Sequence, residues 1–364
     1  MKIKINKDAL VNGFQLVHGV VGLRTTLPIL SNVLLQAKQG RLWMTTTDLD
    51  VSIRCGIEAE IDKEGVTTLP ARRLLSIARE LPADTVTITV NDKNVAEVNC
   101  GSSMYKINGL AYDEFPPLPE LSGGNSYTID RLVFKDMVQK TIYAASTDET
   151  RFILNGNLLS FTNGKLIMVA TDGRRLALSE QEVDFPKEAE ADLVIPTKAL
   201  NELLKIVGGE GPMKIHAVKN QVAFEVGDNM LVTKLIEGQY PNFRQVIPSH
   251  SEQRIAVERE MLFAAIRRVS LLISDKSYSV KLKFGRNKLL ITASAPDVGE
   301  AEETLPIKYS GKEIEIAFNP DFIMDPLKNI VNDEVYLEIT DDMSPAVVKC
   351  DGAFLYVLMP MRVN

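Results

Sequence analysis

The stretch IMVATDGRRLAL, residues 167–178, has an earlier counterpart in WMTTTDLDVSI, residues 43–53. Each reads as an apolar strand, then Thr-Asp, then a second strand, and Asp48 and Asp172 stand 124 positions apart. LLITASAPDVGEAEE, residues 289–303, is a weaker third copy. Self-similarity at a fixed period marks a fold built from repeated units. Proline after an aromatic or apolar residue recurs at intervals of 125 and 119, at Pro116 in EFPPLP, Pro241 in QYPNFRQVIP and Pro360 in LMPMRVN. The close of the chain, LYVLMPMRVN at 355–364, is thus the third copy of a repeat ending. Taken alone it reads as a last strand completing a sheet.

Helix signals obey the same period. Leu10, Phe14, Val17 and Val21 fall at i, i+4, i+7 and i+11 and predict an amphipathic helix over 7–21. Further helices are expected over 70–82, 131–146, 196–208, 258–274 and 319–331, with Pro326 kinking or shortening the last. Pro70 and Pro196 open two of them, where a missing N–H costs least. The intervening segments, such as TVTITV (85–90) and EVYLEI (334–339), read as strands bounded by Gly, Asn and Asp turns. The fold class is therefore α+β: three repeats of about 120 residues, each with two helices and several short strands. The Pro/Gly/Ser-rich segment 116–126 and the polar segment 246–254 place the domains at 1–121, 126–247 and 254–364.

A chain of 364 residues with 45% hydrophobic and 24% charged residues has the make-up of a well-packed globular protein. Its first twenty residues interleave Lys, Asp, Asn and Gln with apolar positions, unlike a signal peptide, and no apolar run approaches the ~20 residues that span a bilayer. A cytoplasmic protein with no membrane partner is expected. Cys55, Cys100 and Cys350 are odd in number and far apart, which argues against a disulfide framework or a CxxC metal site. The net charge of −7 argues against nucleic acid only if it is evenly spread. It is not: the six helical windows hold 13 basic and 8 acidic residues, with Arg72, Arg73, Arg79, Lys135, Lys140, Lys198, Lys205, Arg267 and Arg268 the main cations. An ordinary solvated helix face accounts for any one of them; their recurrence suggests a shared basic surface.

No catalytic signature is present. His18, His216 and His250 lie in different repeats without metal-ligand spacing, and neither GxxxxGK[ST], GxGxxG nor GxSxG occurs. No catalytic residue, metal or cofactor is expected. TDGRR (171–175) could pass for a catalytic loop, but its counterpart TDLD suggests a turn in which the Asp side chain caps backbone N–H groups.

Together the motifs LRTTLPILSNVLL (23–35), TLPARRLL (68–75), RFILNGNLL (151–159), VATDGRRLAL (169–178), LIEGQYPNFRQVIP (235–248), YSGKEIEIAFNPDF (309–322) and YVLMPMRVN (356–364) resemble the β subunit family of bacterial DNA polymerase III, the sliding clamps. The resemblance covers the whole chain. It implies a head-to-tail homodimer of three-domain chains closing a ring around double-stranded DNA, with helices lining the hole. It implies sequence-independent DNA contact through Arg24, Arg72, Arg73 and Lys198, with Phe152 near the bore. The dimer joint would set Tyr105 and Arg73 of one chain against Leu272, Ile273, Glu300, Glu302 and Glu303 of the other.

A hydrophobic pocket for linear peptides of the replicative polymerase, an ATP-driven loader and repair and translesion polymerases is also implied. It would comprise Leu154, Thr171, Gly173, Arg174, Arg175, Leu176, Pro241, Val246, Val357, Leu358, Met359, Pro360, Met361 and Arg362, with Asn319 and Phe322 at its edge. Methionines suit such a pocket because an unbranched thioether repacks around different clients. Gln245 departs from the basic residue found there in some members. A peptide-binding adaptor that never encircles DNA, and a hydrolase built on TDGRR, are the alternatives from other classes.

Overall fold

The structure is a computed structural model that describes residues 1–22, 27–119, 123–248, 253–274 and 278–362. The chain divides into two compact units, one of residues 1–134 and 198–235, the other of residues 135–197 and 236–364.

The first unit holds two antiparallel sheets. Its eight-stranded sheet runs in the order Asn125–Asp130, Pro212–Val218, Gln221–Val226, Asn229–Lys234, Val51–Glu58, Arg41–Thr47, Asn32–Lys38, Gly65–Pro70. A five-stranded sheet runs Glu60–Lys63, Lys2–Asn6, Thr85–Val90, Val95–Cys100, Ser103–Asn108. In Thr85–Val90 every second residue is buried and those between are partly or fully exposed, the half-buried strand its sequence predicts. Helices α1 (Lys7–Val17) and α2 (Ala71–Glu80) pack together; Asn6 caps α1 by accepting from the Ala9 N–H at 3.1 Å. α3 (Arg131–Thr141) and α4 (Thr197–Ile206) follow in the chain.

The second unit repeats the eight-stranded arrangement about 124 residues later. Its order is Ala191–Pro196, Gly156–Thr162, Lys165–Thr171, Arg175–Glu182, Phe354–Leu358, Ala346–Lys349, Glu334–Ile339, Gln253–Glu258. A four-stranded sheet runs Gly299–Pro306, Lys288–Ala295, Val280–Gly285, Ile314–Phe318. Helices α5 (Arg259–Val269) and α6 (Pro320–Asn329) pack on one another, and Leu262, Ile266, Ile323 and Leu327 enter one core with both sheets.

Pro326 does not shorten α6, which has the same ten residues as α2 and α4. The missing Pro326 N–H leaves the Phe322 carbonyl without its helical donor, and the Tyr356 hydroxyl donates to it instead at 2.7 Å. Tyr356 is fully buried and Phe322 partly so.

The Thr-Asp turns repeat atom by atom. Thr47 Oγ1 accepts from the Leu49 N–H at 3.1 Å, as Thr171 Oγ1 accepts from Gly173 at 3.0 Å. Asp48 Oδ1 accepts from Asp50 and Val51, as Asp172 Oδ1 accepts from Arg174 and Arg175. Leu49 and Gly173, at matching positions, have φ of 78° and 85°. Both are in left-handed backbone, which glycine adopts freely and leucine does not.

Candidate peptide pocket and basic surface

In the second unit the TDGRR turn joins strands Lys165–Thr171 and Arg175–Glu182, and the last strand lies beside it with Leu176 opposite Val357 and Arg175 opposite Leu358. Leu176 and Val357 are both buried and share an apolar cluster with Leu158, Val169, Tyr240 and Phe243; Leu154 and Ile247 pack partly buried against it. Past Leu358 the chain leaves the sheet but stays pinned. The Met359 N–H donates to the Arg174 carbonyl at 3.0 Å and the Met361 N–H to the Ala317 carbonyl at 2.7 Å. These bonds present Met359 and Met361, 43% and 39% exposed, beside the turn, with Val246 half exposed on the 243–246 turn. An apolar floor, two mobile-stemmed thioethers and a rim of Thr171, Gly173 and Arg174 suit an apolar side chain of a peptide.

Several expected pocket residues take other parts. Leu358 is 1% exposed and belongs to the core on the opposite face of its strand, with Phe354 and Tyr356, because successive side chains alternate faces. Arg175 is a buried strut. Its Nε donates to Asp172 Oδ2 at 3.0 Å, Nη1 to Asp325 Oδ2 at 2.6 Å and Nη2 to the Tyr143 carbonyl at 2.6 Å, while Cζ lies 4.2 Å from the Phe322 ring centroid. Asn319 spends its side-chain oxygen capping α6, accepting from Asp321 and Phe322. Pro241 is exposed between the buried Tyr240 and Phe243. Pro360 is half-buried and Arg362 exposed on the tail. Beside the exposed Gln245, Arg244 places a guanidinium 5.0 Å from the Phe243 ring.

Two strand residues along from Leu176 and Val357, a cleft of about 500 Å³ opens over Ile167, Leu178 and Leu355, walled by Phe243, Ile247 and Phe354. The sequence reading missed Asp325, Tyr143 and Tyr356, which hold Arg175 and α6 in place. Only the Tyr and Phe of YPNF carried a visible signal.

In the first unit Arg72 and Arg73 are exposed on α2 and line a cleft with Val21, Gly22 and Ser31; Arg72 Nη2 donates to the Val21 carbonyl at 2.8 Å. Lys198, exposed at the start of α4, is ion-paired with Asp48. Arg24 lies outside the described residues. Phe152, in the second unit, is 60% exposed. Lys140, Lys205 and Arg268 are likewise paired, with Asp136, Glu202 and Glu303. The basic excess counted on the helices is therefore partly neutralised within the fold.

Of the expected joint residues, Tyr105 lies on Ser103–Asn108, an outermost strand of its sheet, and Glu300, Glu302 and Glu303 lie on Gly299–Pro306, also outermost. Glu303 is engaged by Arg268 at 2.5 and 2.7 Å, which leaves Glu300 and Glu302 as the exposed acids. Leu272 and Ile273 are half-buried; Leu271, 78% exposed, is the most open of the three.

Among the described residues no three His, Cys, Asp or Glu side chains gather as a metal site, and no helix is long and apolar enough to cross a membrane. Repeated helix-and-sheet units with an apolar pocket beside the last strand fit a binding protein of the clamp type. Models of the N-terminal, central and C-terminal domains of the DNA polymerase III beta subunit match residues 1–119, 128–242 and 244–362. The beta sliding clamp of Chlamydia trachomatis is 35% identical over all of this chain and 88% of its own, and that of Escherichia coli K12 is 31% identical over all of both. Among solved structures, the sliding clamp of Bacillus subtilis superposes with a TM-score of 0.94 at 31% identity. The Pseudomonas aeruginosa clamp bound to griselimycin gives 0.95 at 31%, and both cover the two chains completely. The chain belongs to the DNA polymerase III beta subunit family, the beta sliding clamps, and its role is that of a non-catalytic processivity factor.

Proposed function

We propose that two copies of the chain close head-to-tail into a ring around duplex DNA. The pocket around Leu176, Val357 and Met359 then holds linear peptides of the replicative polymerase, the loader and repair and translesion polymerases. The observation that carries the ring is a charge-matched pair among the open sheet edges. Ser103–Asn108 and Gly299–Pro306 each end a sheet with unpaired backbone groups, a liability that closure removes. Lys106 on the first edge and Glu300 and Glu302 on the second have opposite charge, which favours pairing of one with the other. Arg73 is exposed and has no ion pair among the described residues, so it can meet those acids or DNA phosphate.

Phosphate contacts through Arg24, Arg72, Arg73 and Lys198 position DNA without reading bases, as sliding requires. Opening the ring falls to a separate ATP-driven partner, in the cytoplasm where bacterial DNA lies. Sedimentation at nanomolar concentration tests the dimer: a species of twice the 40.3 kDa chain mass supports it, and a stable monomer counts against it.

A further inference from the structure

The two Thr-Asp turns use their aspartates identically, and each holds a cation. Asp48 Oδ1 accepts from the Asp50 and Val51 N–H groups at 3.0 and 2.7 Å, which fixes the carboxylate and aims Oδ2 at Lys198. Asp172 does the same with Arg174 and Arg175, and its Oδ2 holds the Arg175 guanidinium. The cations differ in access. The Arg175 side chain is 10% exposed and has a second acid in Asp325, so it is sealed in place. The Lys198 side chain is 54% exposed over an Asp48 that is only 19% exposed, so its ammonium can leave while the carboxylate stays.

We infer that Asp48 is a built-in competitor of DNA phosphate for Lys198, which keeps the grip on duplex DNA below what the basic residues alone would give. The inference rests on the proposal that Lys198 faces DNA. When a phosphate takes the Lys198 ammonium, the cation shed by the DNA is offset by one drawn to the vacated Asp48 carboxylate, so one contact is missing from the net salt dependence of binding. A weak grip is what a sliding ring needs.

The test uses the full chain and a short fluorescent duplex titrated at several salt concentrations. Asp48→Asn keeps the Oδ1 cap and removes only the charge. Asp50→Asn is the control, since it removes the same charge two residues away from a carboxylate that pairs with Lys234 instead. Asp48→Asn is expected to tighten binding several-fold and to steepen the log–log salt slope by about 0.9, so that its advantage shrinks about 3.5-fold between ~50 and ~200 mM salt. Asp50→Asn is expected to change the slope by less than half as much. Equal effects of the two variants, or no effect of Asp48→Asn beside a loss in Lys198→Ala, overturn the inference alone. Unchanged binding in Lys198→Ala overturns the DNA-facing reading of Lys198 and the inference with it.

Discussion

Removing the Tyr356 hydroxyl should destabilise the second unit through a helix that Tyr356 does not belong to. In Tyr356→Phe the Phe322 carbonyl loses the hydroxyl that stands in for the missing Pro326 N–H. A buried acceptor left unpaired costs about 1–3 kcal/mol. Pro326→Ala restores an N–H four residues after Phe322, so in that background the hydroxyl becomes dispensable to the helix. A double-mutant cycle by urea unfolding should therefore show a loss of about 1–3 kcal/mol for Tyr356→Phe in the parent and less than half of that in Pro326→Ala. Since Phe322 stacks on Arg175, which anchors the TDGRR turn, client-peptide affinity should fall with the same pattern. Equal losses in both backgrounds would mean that the hydroxyl serves Arg175 and not the helix.

Replacing Leu272 by Ala and Ile273 by Lys should give a folded monomer, read by sedimentation, because a charge enters an apolar contact; an unchanged dimer argues against the joint. Deleting residues 360–364 removes Met361 and its bond to Ala317, and should weaken an apolar-ended client peptide by at least tenfold in a calorimetric titration while leaving the dimer intact. Burial pushes the Cys55 thiol from 9.0 up to about 11, so the folded chain keeps a proton that the unfolded chain releases. Its contribution is present below pH ~9 and lost as pH rises towards 11, and alkylation of the native protein at pH 8, followed by mass spectrometry, should be far slower at Cys55 than after unfolding.

The repeat was legible because the Thr-Asp turn is local chemistry: Asp48 and Asp172 cap their own neighbours, so sequence spacing and structure agree. The helices were legible from their apolar stripes. What sequence could not give was set by partners distant in the chain. Leu358 looked like part of an apolar tail, but pairing with Arg175 turns it to the core and Val357 to the pocket floor. Arg175 looked like a pocket contact, and only the arrival of Asp325, 150 positions later, makes it a strut. Glu303 read as an interface acid until the fold brought Arg268 to it. Pro326 pointed to a kinked or shortened helix because the donor that replaces its N–H lies 34 residues beyond Phe322.

A closed ring holds DNA by topology, so retention on circular and on linear DNA should differ. Protein loaded by the ATP-driven loader onto a nicked circular duplex, then passed through a sizing column at high salt, should stay with the circle and be lost once a restriction enzyme linearises it. Equal retention on circular and linear DNA, or equal loss from both, would contradict a closed ring that slides.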